Sequence, residues 1–234
     1  MNKEVILALD FPDRAATLEF LDRFPDGQKP FVKIGMELYY AEGPEIVREI
    51  RRRGHRIFLD LKLHDIPNTV KRTMSVLSGL DVDMVNLHAS GGSSMMKAAL
   101  DGLTRPDGSR PFLIAVTQLT STDDKMLKDE LLIDAPMTET VLSYARNAAE
   151  CGLDGVVCSP LEASAIKDRC GAEFLTVTPG IRFADGDLGD QKRVMTPERA
   201  ARAGCDCIVV GRPVTQAADP FAAYRRCLRE FVGG

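Results

Sequence analysis

Nothing in this chain is spaced like a metal site. Its three histidines, His55, His64 and His88, do not form a ligand pair on one helix or strand. Its six cysteines, at 151, 158, 170, 205, 207 and 227, include no C-x-x-C pair and fall in or beside expected strands and helices. Buried free thiols are therefore expected, not disulfides. A broad cationic field is missing as well, because 30 basic against 34 acidic residues leave a net charge of −4. That excludes a surface built to hold nucleic acid or anionic lipid. No apolar run follows a charged start at the N-terminus, and none approaches the roughly 20 residues of a membrane span. The expectation is a cytoplasmic protein with no membrane partner. No long linker or low-complexity tract divides the chain, so one domain over residues 1–234 is expected.

What is present is a rhythm. With 44% apolar and 27% charged residues in 234, the chain can enclose one sizeable core. Short β-branched or apolar runs return eight times: VILALD from Val5, FVKIG from Phe31, RIFLDLK from Arg56, DMVNLH from Asp83, FLIAVTQL from Phe112, GVVCS from Gly155, FLTVTPG from Phe174 and CIVVG from Cys207. Helical patterns lie between them, with explicit punctuation. Ser159-Pro160-Leu161-Glu162 reads as a capping box with proline at the first helical position, Thr196-Pro197 and Asp219-Pro220 repeat the cap-then-proline pattern, and Gly54, Gly152 and Gly204 supply stops. Strands buried on both faces and separated by helices pair in parallel, and eight such units in about 250 residues predict a closed (β/α)8 TIM barrel. An open doubly wound sheet is the alternative, but no G-x-G-x-x-G follows the first strand, which ends in Asp10.

Arg51-Arg52-Arg53, before Gly54, reads as the last turn of an amphipathic helix, not a nucleic-acid patch. Two connections are longer than they need to be. STDDKMLKDELLIDAP, after Thr120, is expected to hold a short extra helix, and RFADGDLGDQKR, from Arg182 to Arg193, is polar and glycine-rich. In a barrel both lie where the C-terminal strand ends gather, and both are candidate lids.

The stretch FLDLKLHDIPNT puts Asp60, Lys62 and Asp65 at the end of a strand. Side chains alternate along a strand, so Asp60 and Lys62 share the barrel side while Leu59, Leu61 and Leu63 face the helices. Lys33 on the second strand and Asp10 at the end of the first converge on the same mouth. A solvated ion-pair network is the bland reading. The functional one follows from charge: an ammonium flanked by carboxylates stays protonated, so Lys62 reads as an acid and not as a Schiff-base nucleophile.

Asp60-Leu61-Lys62-Leu63-His64-Asp65-Ile66-Pro67-Asn68-Thr69 resembles the D-x-K-x-x-D signature of the orotidine 5′-phosphate decarboxylase family in its bacterial form. The resemblance implies cofactor-free decarboxylation of orotidine 5′-monophosphate to UMP, the last step of pyrimidine nucleotide synthesis. It implies a charged array of Lys33, Asp60, Lys62 and Asp65, with Asp65 reaching the site of the other subunit of a homodimer. Asp10 and Lys33 would contact ribose, and Thr69 would do so from the partner subunit. Thr120 matches a pyrimidine-contacting position, Arg182 and Gln191 match lid positions for phosphate and base, and Gly211 with Arg212 matches a phosphate clamp. The clamp has a reason of its own, since the loops after strands seven and eight are the usual phosphate site of such barrels and arginine binds phosphate bidentately. Two alternatives remain open. Metal-dependent relatives, 3-keto-gulonate 6-phosphate decarboxylase and hexulose-phosphate synthase, share the signature but place a carboxylate where this chain has Lys33, which would repel the ion. A barrel that has lost catalysis and serves as a scaffold is the other.

Overall fold

The computed structural model describes residues 3–185 and 195–233. All eight apolar runs are strands: β1 (Glu4–Ala8), β2 (Phe31–Gly35), β3 (Ile57–Leu63), β4 (Met84–His88), β5 (Phe112–Val116), β6 (Gly155–Val157), β7 (Leu175–Thr178) and β8 (Cys207–Val210). They pair in parallel in sequence order, and β8 returns to β1 to close the TIM barrel. Helix α1 (Arg14–Asp22) follows β1, α2 (Met36–Glu42) and α3 (Pro44–Arg52) follow β2, and α4 (Pro67–Ser78) follows β3. Then come α5 (Gly92–Leu103) after β4, α6 (Asp124–Asp129) and α7 (Met137–Glu150) after β5, and α8 (Ala163–Cys170) after β6. The chain ends with α9 (Pro197–Arg202) after β7, and α10 (Arg212–Thr215) and α11 (Pro220–Phe231) after β8.

Closure divides the apolar residues into two populations. The larger fills the layer between strands and helices and includes Leu59 and Leu61, with Leu63 packed against it. The smaller plugs the inside of the barrel and contains Ile6, Phe31, Phe58, Met84, Ile114 and Cys207. Period two then carries each inward-facing row upward from this floor, from Phe31 to Lys33, from Phe58 to Asp60 and from Met84 to Asn86. An apolar floor under a charged mouth follows directly from that spacing.

The opposite face is tied by a repeated device. Asp83, Asp154 and Asp206 immediately precede β4, β6 and β8, and each accepts an amide from the start of the preceding strand: Ile57 N–H at 2.8 Å, Leu113 N–H at 2.7 Å and Thr176 N–H at 2.8 Å. Each aspartate is also ion-paired, with Arg51, Arg110 and Lys167 respectively. Arg51 therefore does more than end a helix, since it joins α3 to Asp81 and Asp83 at 2.8 and 3.0 Å.

The helix punctuation holds with one displacement. Thr196 and Asp219 cap α9 and α11 through Arg199 N–H and Ala222 N–H, with proline in the first turn of each, and Gly54, Gly152 and Gly204 take positive φ after their helices. At Ser159 one capping-box bond forms, Ser159 N–H to Glu162 Oε2 at 2.9 Å, while Ser159 Oγ accepts from Leu161 N–H at 3.3 Å and not from Glu162. Regular helix nevertheless begins only at Ala163, because Glu162 N–H bonds back to the Ser159 carbonyl and winds the first residues as a tighter turn. The extra helix expected after Thr120 is α6, capped by Asp123. Most of the second long connection, residues 186–194, lies outside the described residues.

All six cysteines are free, and five are buried. Burial pushes the Cys205 thiol up to about 11 and those of Cys207 and Cys227 up to about 12, as expected of inert packing thiols.

Candidate active site

Four side chains from three neighbouring strand ends form an alternating chain of charge at the C-terminal mouth. Lys33 Nζ lies 2.9 Å from Asp10 Oδ1 and 3.4 Å from Asp60 Oδ2, while Lys62 Nζ lies 2.6 Å from Asp60 Oδ1. Lys33 and Asp60 are buried, at 9% and 7% exposure, so solvent screens this array far less than a surface pair. Burial alone would drive the Lys33 ammonium to lose its proton, but Asp60 and Asp10 outweigh it and hold its pKa above the ordinary lysine value. Burial likewise opposes the charge on Asp60. Lys33 and Lys62, with hydrogen bonds from Lys62 and Asn86, outweigh it and hold the carboxyl below the ordinary aspartate value. Both groups therefore remain charged through the neutral range.

One glycine keeps the array compact, while a second lies at ordinary contact distance from it. A Cβ at Gly35 would stand 3.0 Å from Lys33 Nζ and 3.3 Å from Asp10 Oδ1, and one at Gly211 would stand 3.8 Å from Asp10 Oδ2. The absence of a side chain at Gly35 leaves the ammonium its place.

Regular alternation does not carry through to Lys62. Its φ is +52°, in the left-handed region that a lysine seldom occupies, and the β3–β4 register shifts between Leu59 and Leu63. The Lys62 N–H donates to Asn86 Oδ1 at 2.8 Å, and Asn86 Nδ2 donates to Asp60 Oδ1 at 2.7 Å. Lys62 nevertheless lies on the same side as Asp60, as expected.

Lys33, Asp60, Lys62 and Thr120 line one cavity of about 300 Å³, whose other walls include Phe58, Val116, Val157, Pro179 and Val209. Charged and apolar residues thus share one lining. Arg182 and Arg212 line a second cavity together. Arg182 is buried and donates to the Ile181 carbonyl at 2.8 Å, and Arg212 opens α10 directly after Gly211. Asp65 and Thr69 stand apart from both, exposed on the bend after β3 and in the first turn of α4. Asp65 accepts the Ile66 N–H at 2.6 Å and, among the described residues, enters no ion pair. Gln191 lies outside the described residues.

Three neighbours of the array escaped the sequence reading. Asn86 is the inward residue two positions above Met84, and period two alone would have found it. Cys158 lines the cavity at the end of β6. His88 comes within 5.6 Å of His64, ring centre to ring centre, although the two are far apart in sequence. Burial, His64 and Lys62 hold its pKa below the ordinary histidine value. Among the described residues, no group of three or more His, Cys, Asp or Glu side chains is placed to hold a metal ion.

Fold and mouth together define a (β/α)8 barrel with a lysine–carboxylate cavity on the face where barrels of this architecture carry their active sites. The chain belongs to the orotidine 5′-phosphate decarboxylase / HUMPS family, whose model matches residues 3–227. It is 56% identical to the orotidine 5′-phosphate decarboxylase of Geobacillus thermodenitrificans over 237 aligned positions, covering 100% of this chain and 99% of the relative. Against the enzyme of the same name from Bacillus caldolyticus it is 57% identical, covering 100% and 97%. Among crystal structures, orotidine 5′-phosphate decarboxylase from Lactobacillus acidophilus matches with a TM-score of 0.88 at 44% identity, over 98% of this chain and 99% of the other. An uncharacterized conserved protein from Geobacillus kaustophilus matches with a TM-score of 0.86 at 51% identity, over 97% and 99%.

The shifts at Asp60 and Lys33 give a signed expectation for stability. A depressed aspartate pKa means that the unfolded chain binds more protons just below the ordinary value, so Asp60's contribution is complete above that value and is lost as pH falls through the depressed one. Lys33, raised, contributes fully below the ordinary lysine value and loses that contribution only as pH rises through the raised one. Urea unfolding of the wild type and Asp60→Asn should give a difference in unfolding free energy that is constant above about pH 5 and moves against the wild type below about pH 4. A difference independent of pH over that range would show that Asp60 is not held ionised by the fold.

Proposed function

We propose that the protein decarboxylates orotidine 5′-monophosphate to UMP and CO2 in pyrimidine nucleotide biosynthesis, without metal or organic cofactor. The observation that carries this is the Asp10–Lys33–Asp60–Lys62 chain beside an apolar wall. Family membership alone does not choose the reaction, because the family name covers decarboxylases and HUMPS together. The choice rests on Lys33, buried where a metal-dependent relative needs a carboxylate, and on full-length relatives named as decarboxylases.

In the proposed step the bond between ring carbon C6 and the carboxylate breaks, CO2 leaves, and the electron pair stays on C6. The Lys62 ammonium stabilises that pair as it forms and then transfers a proton to C6. Lys62 is left as a neutral amine, which regains a proton from solvent. Asp60 orients Lys62 and places negative charge beside the departing carboxylate, while the apolar wall offers CO2 no hydrogen bond to replace those it loses. Asp10 and Lys33 are the proposed ribose contacts and Thr120 the pyrimidine contact. Arg182, Gln191, Gly211 and Arg212 would gather the phosphate and base, so that binding energy remote from C6 is expressed in the transition state.

Asp65 and Thr69 act, in this reading, from the partner subunit. Asp65 is outside its own chain's array, and the Ile66-Pro67 turn directs the chain away from the strand. A cytoplasmic homodimer with composite sites completes the proposal.

Two experiments follow. Protein treated exhaustively with EDTA should release CO2 and UMP from orotidine 5′-monophosphate at the untreated rate, and loss of turnover restored by magnesium would instead support the metal-dependent alternative. No turnover under any condition would support a scaffold. For the composite site, inactive Lys62→Ala and Asp65→Ala chains are unfolded, mixed in equal amounts and refolded. Random pairing makes about half the dimers heterodimers, each with one intact and one doubly defective site, so about a quarter of wild-type activity should return. No recovery despite verified subunit mixing would place Asp65 in its own chain's site or outside catalysis.

A further inference from the structure

Asn86 is 1% exposed and sits in the inward row of β4, where the residue below it is Met84 and the barrel floor is apolar. A buried amide is costly unless its polar atoms are satisfied. Both ends of this one are spent on the array. Nδ2 donates to Asp60 Oδ1, the oxygen that also receives Lys62 Nζ, and Oδ1 accepts the backbone N–H of Lys62 itself. The two bonds flank the place where β3 departs from regular strand geometry, with Lys62 at φ +52° and the β3–β4 register interrupted.

A non-glycine residue in the left-handed region is strained and persists only where its surroundings over-determine it. Nothing local to lysine favours that conformation, since its side chain cannot bond its own backbone as Asn or Asp can. We infer that Asn86 is a positioning residue for the reaction: it fixes Lys62's backbone in the left-handed turn and orients Asp60, so that carboxylate and ammonium face the substrate in one preset geometry. With the backbone amide pinned, the ammonium approaches the reacting carbon from a fixed origin. With Oδ1 shared between the amide and Lys62, Oδ2 is left to Lys33. Preset dipoles and charges need no rearrangement as charge develops, which is where such geometry acts on rate and not on binding.

This inference rests on the proposed decarboxylation and deepens it, and wild-type turnover measured alongside separates failure of one from failure of the other. The variants are Asn86→Ala and the nearly isosteric Asn86→Asp, which keeps an acceptor for the Lys62 amide but replaces the donor to Asp60 with a carboxylate. The expected result is a loss in kcat of at least about tenfold in both, with UMP affinity within about threefold of wild type and circular dichroism unchanged for Asn86→Asp. In a Lys62→Ala background, the same Asn86 substitutions should lower the residual single-turnover rate by a clearly smaller factor than in the wild-type background, because one of the two groups they position is gone and only Asp60 remains. A kcat within threefold of an active wild type in both variants, or an equal proportional loss with and without Lys62, would overturn the assignment.

Discussion

One carboxylate shared by two ammonium groups organises the site. Asp60 is buried at the top of the barrel, where an isolated charge would be costly, and it stays ionised because Lys33 and Lys62 approach its two oxygens from either side. The dependence is mutual, since Lys33 keeps its proton against burial through Asp60 and Asp10. Removing Asp60 would leave the buried Lys33 with Asp10 alone and Lys62 without its carboxylate. The barrel makes the arrangement possible by bringing adjacent strand ends together with period-two side chains, above an apolar floor that keeps water out from below.

The same array bears on chemistry. An ammonium ion-paired with a carboxylate, as Lys62 is with Asp60, is a suitable partner for negative charge forming on carbon. A carboxylate placed beside a substrate carboxylate favours its departure as neutral CO2. Lys33 also disfavours a metal at this mouth, because a buried ammonium repels a second cation.

Much of this was legible in the sequence, for identifiable reasons. The eight strands were visible because a strand covered on both sides is apolar on both sides, and the array was visible because Asp60 and Lys62 are two residues apart on such a strand. Lys62's left-handed backbone was not, since lysine carries no preference for it and the cause lies on another strand, in Asn86. The pairing of His64 with His88 was hidden for the same reason: register between strands is a tertiary property. At Ser159 the capping signal holds in the bond from Ser159 N–H to Glu162, but regular helix begins later because Glu162 N–H closes a tighter turn onto the Ser159 carbonyl. Asp65 and Thr69 mark a different boundary, since the role implied for them by family resemblance belongs to a pair of chains and not to one fold.

The most direct test of the central claim is the kinetics of Lys62→Ala with orotidine 5′-monophosphate, measured together with its affinity for UMP. If the Lys62 ammonium acts on the charge that forms at C6, kcat falls by at least about a hundredfold while UMP affinity stays within about threefold. Turnover near the wild-type level, or a proportional loss of UMP binding, would contradict the account and leave Lys62 as a support for the site.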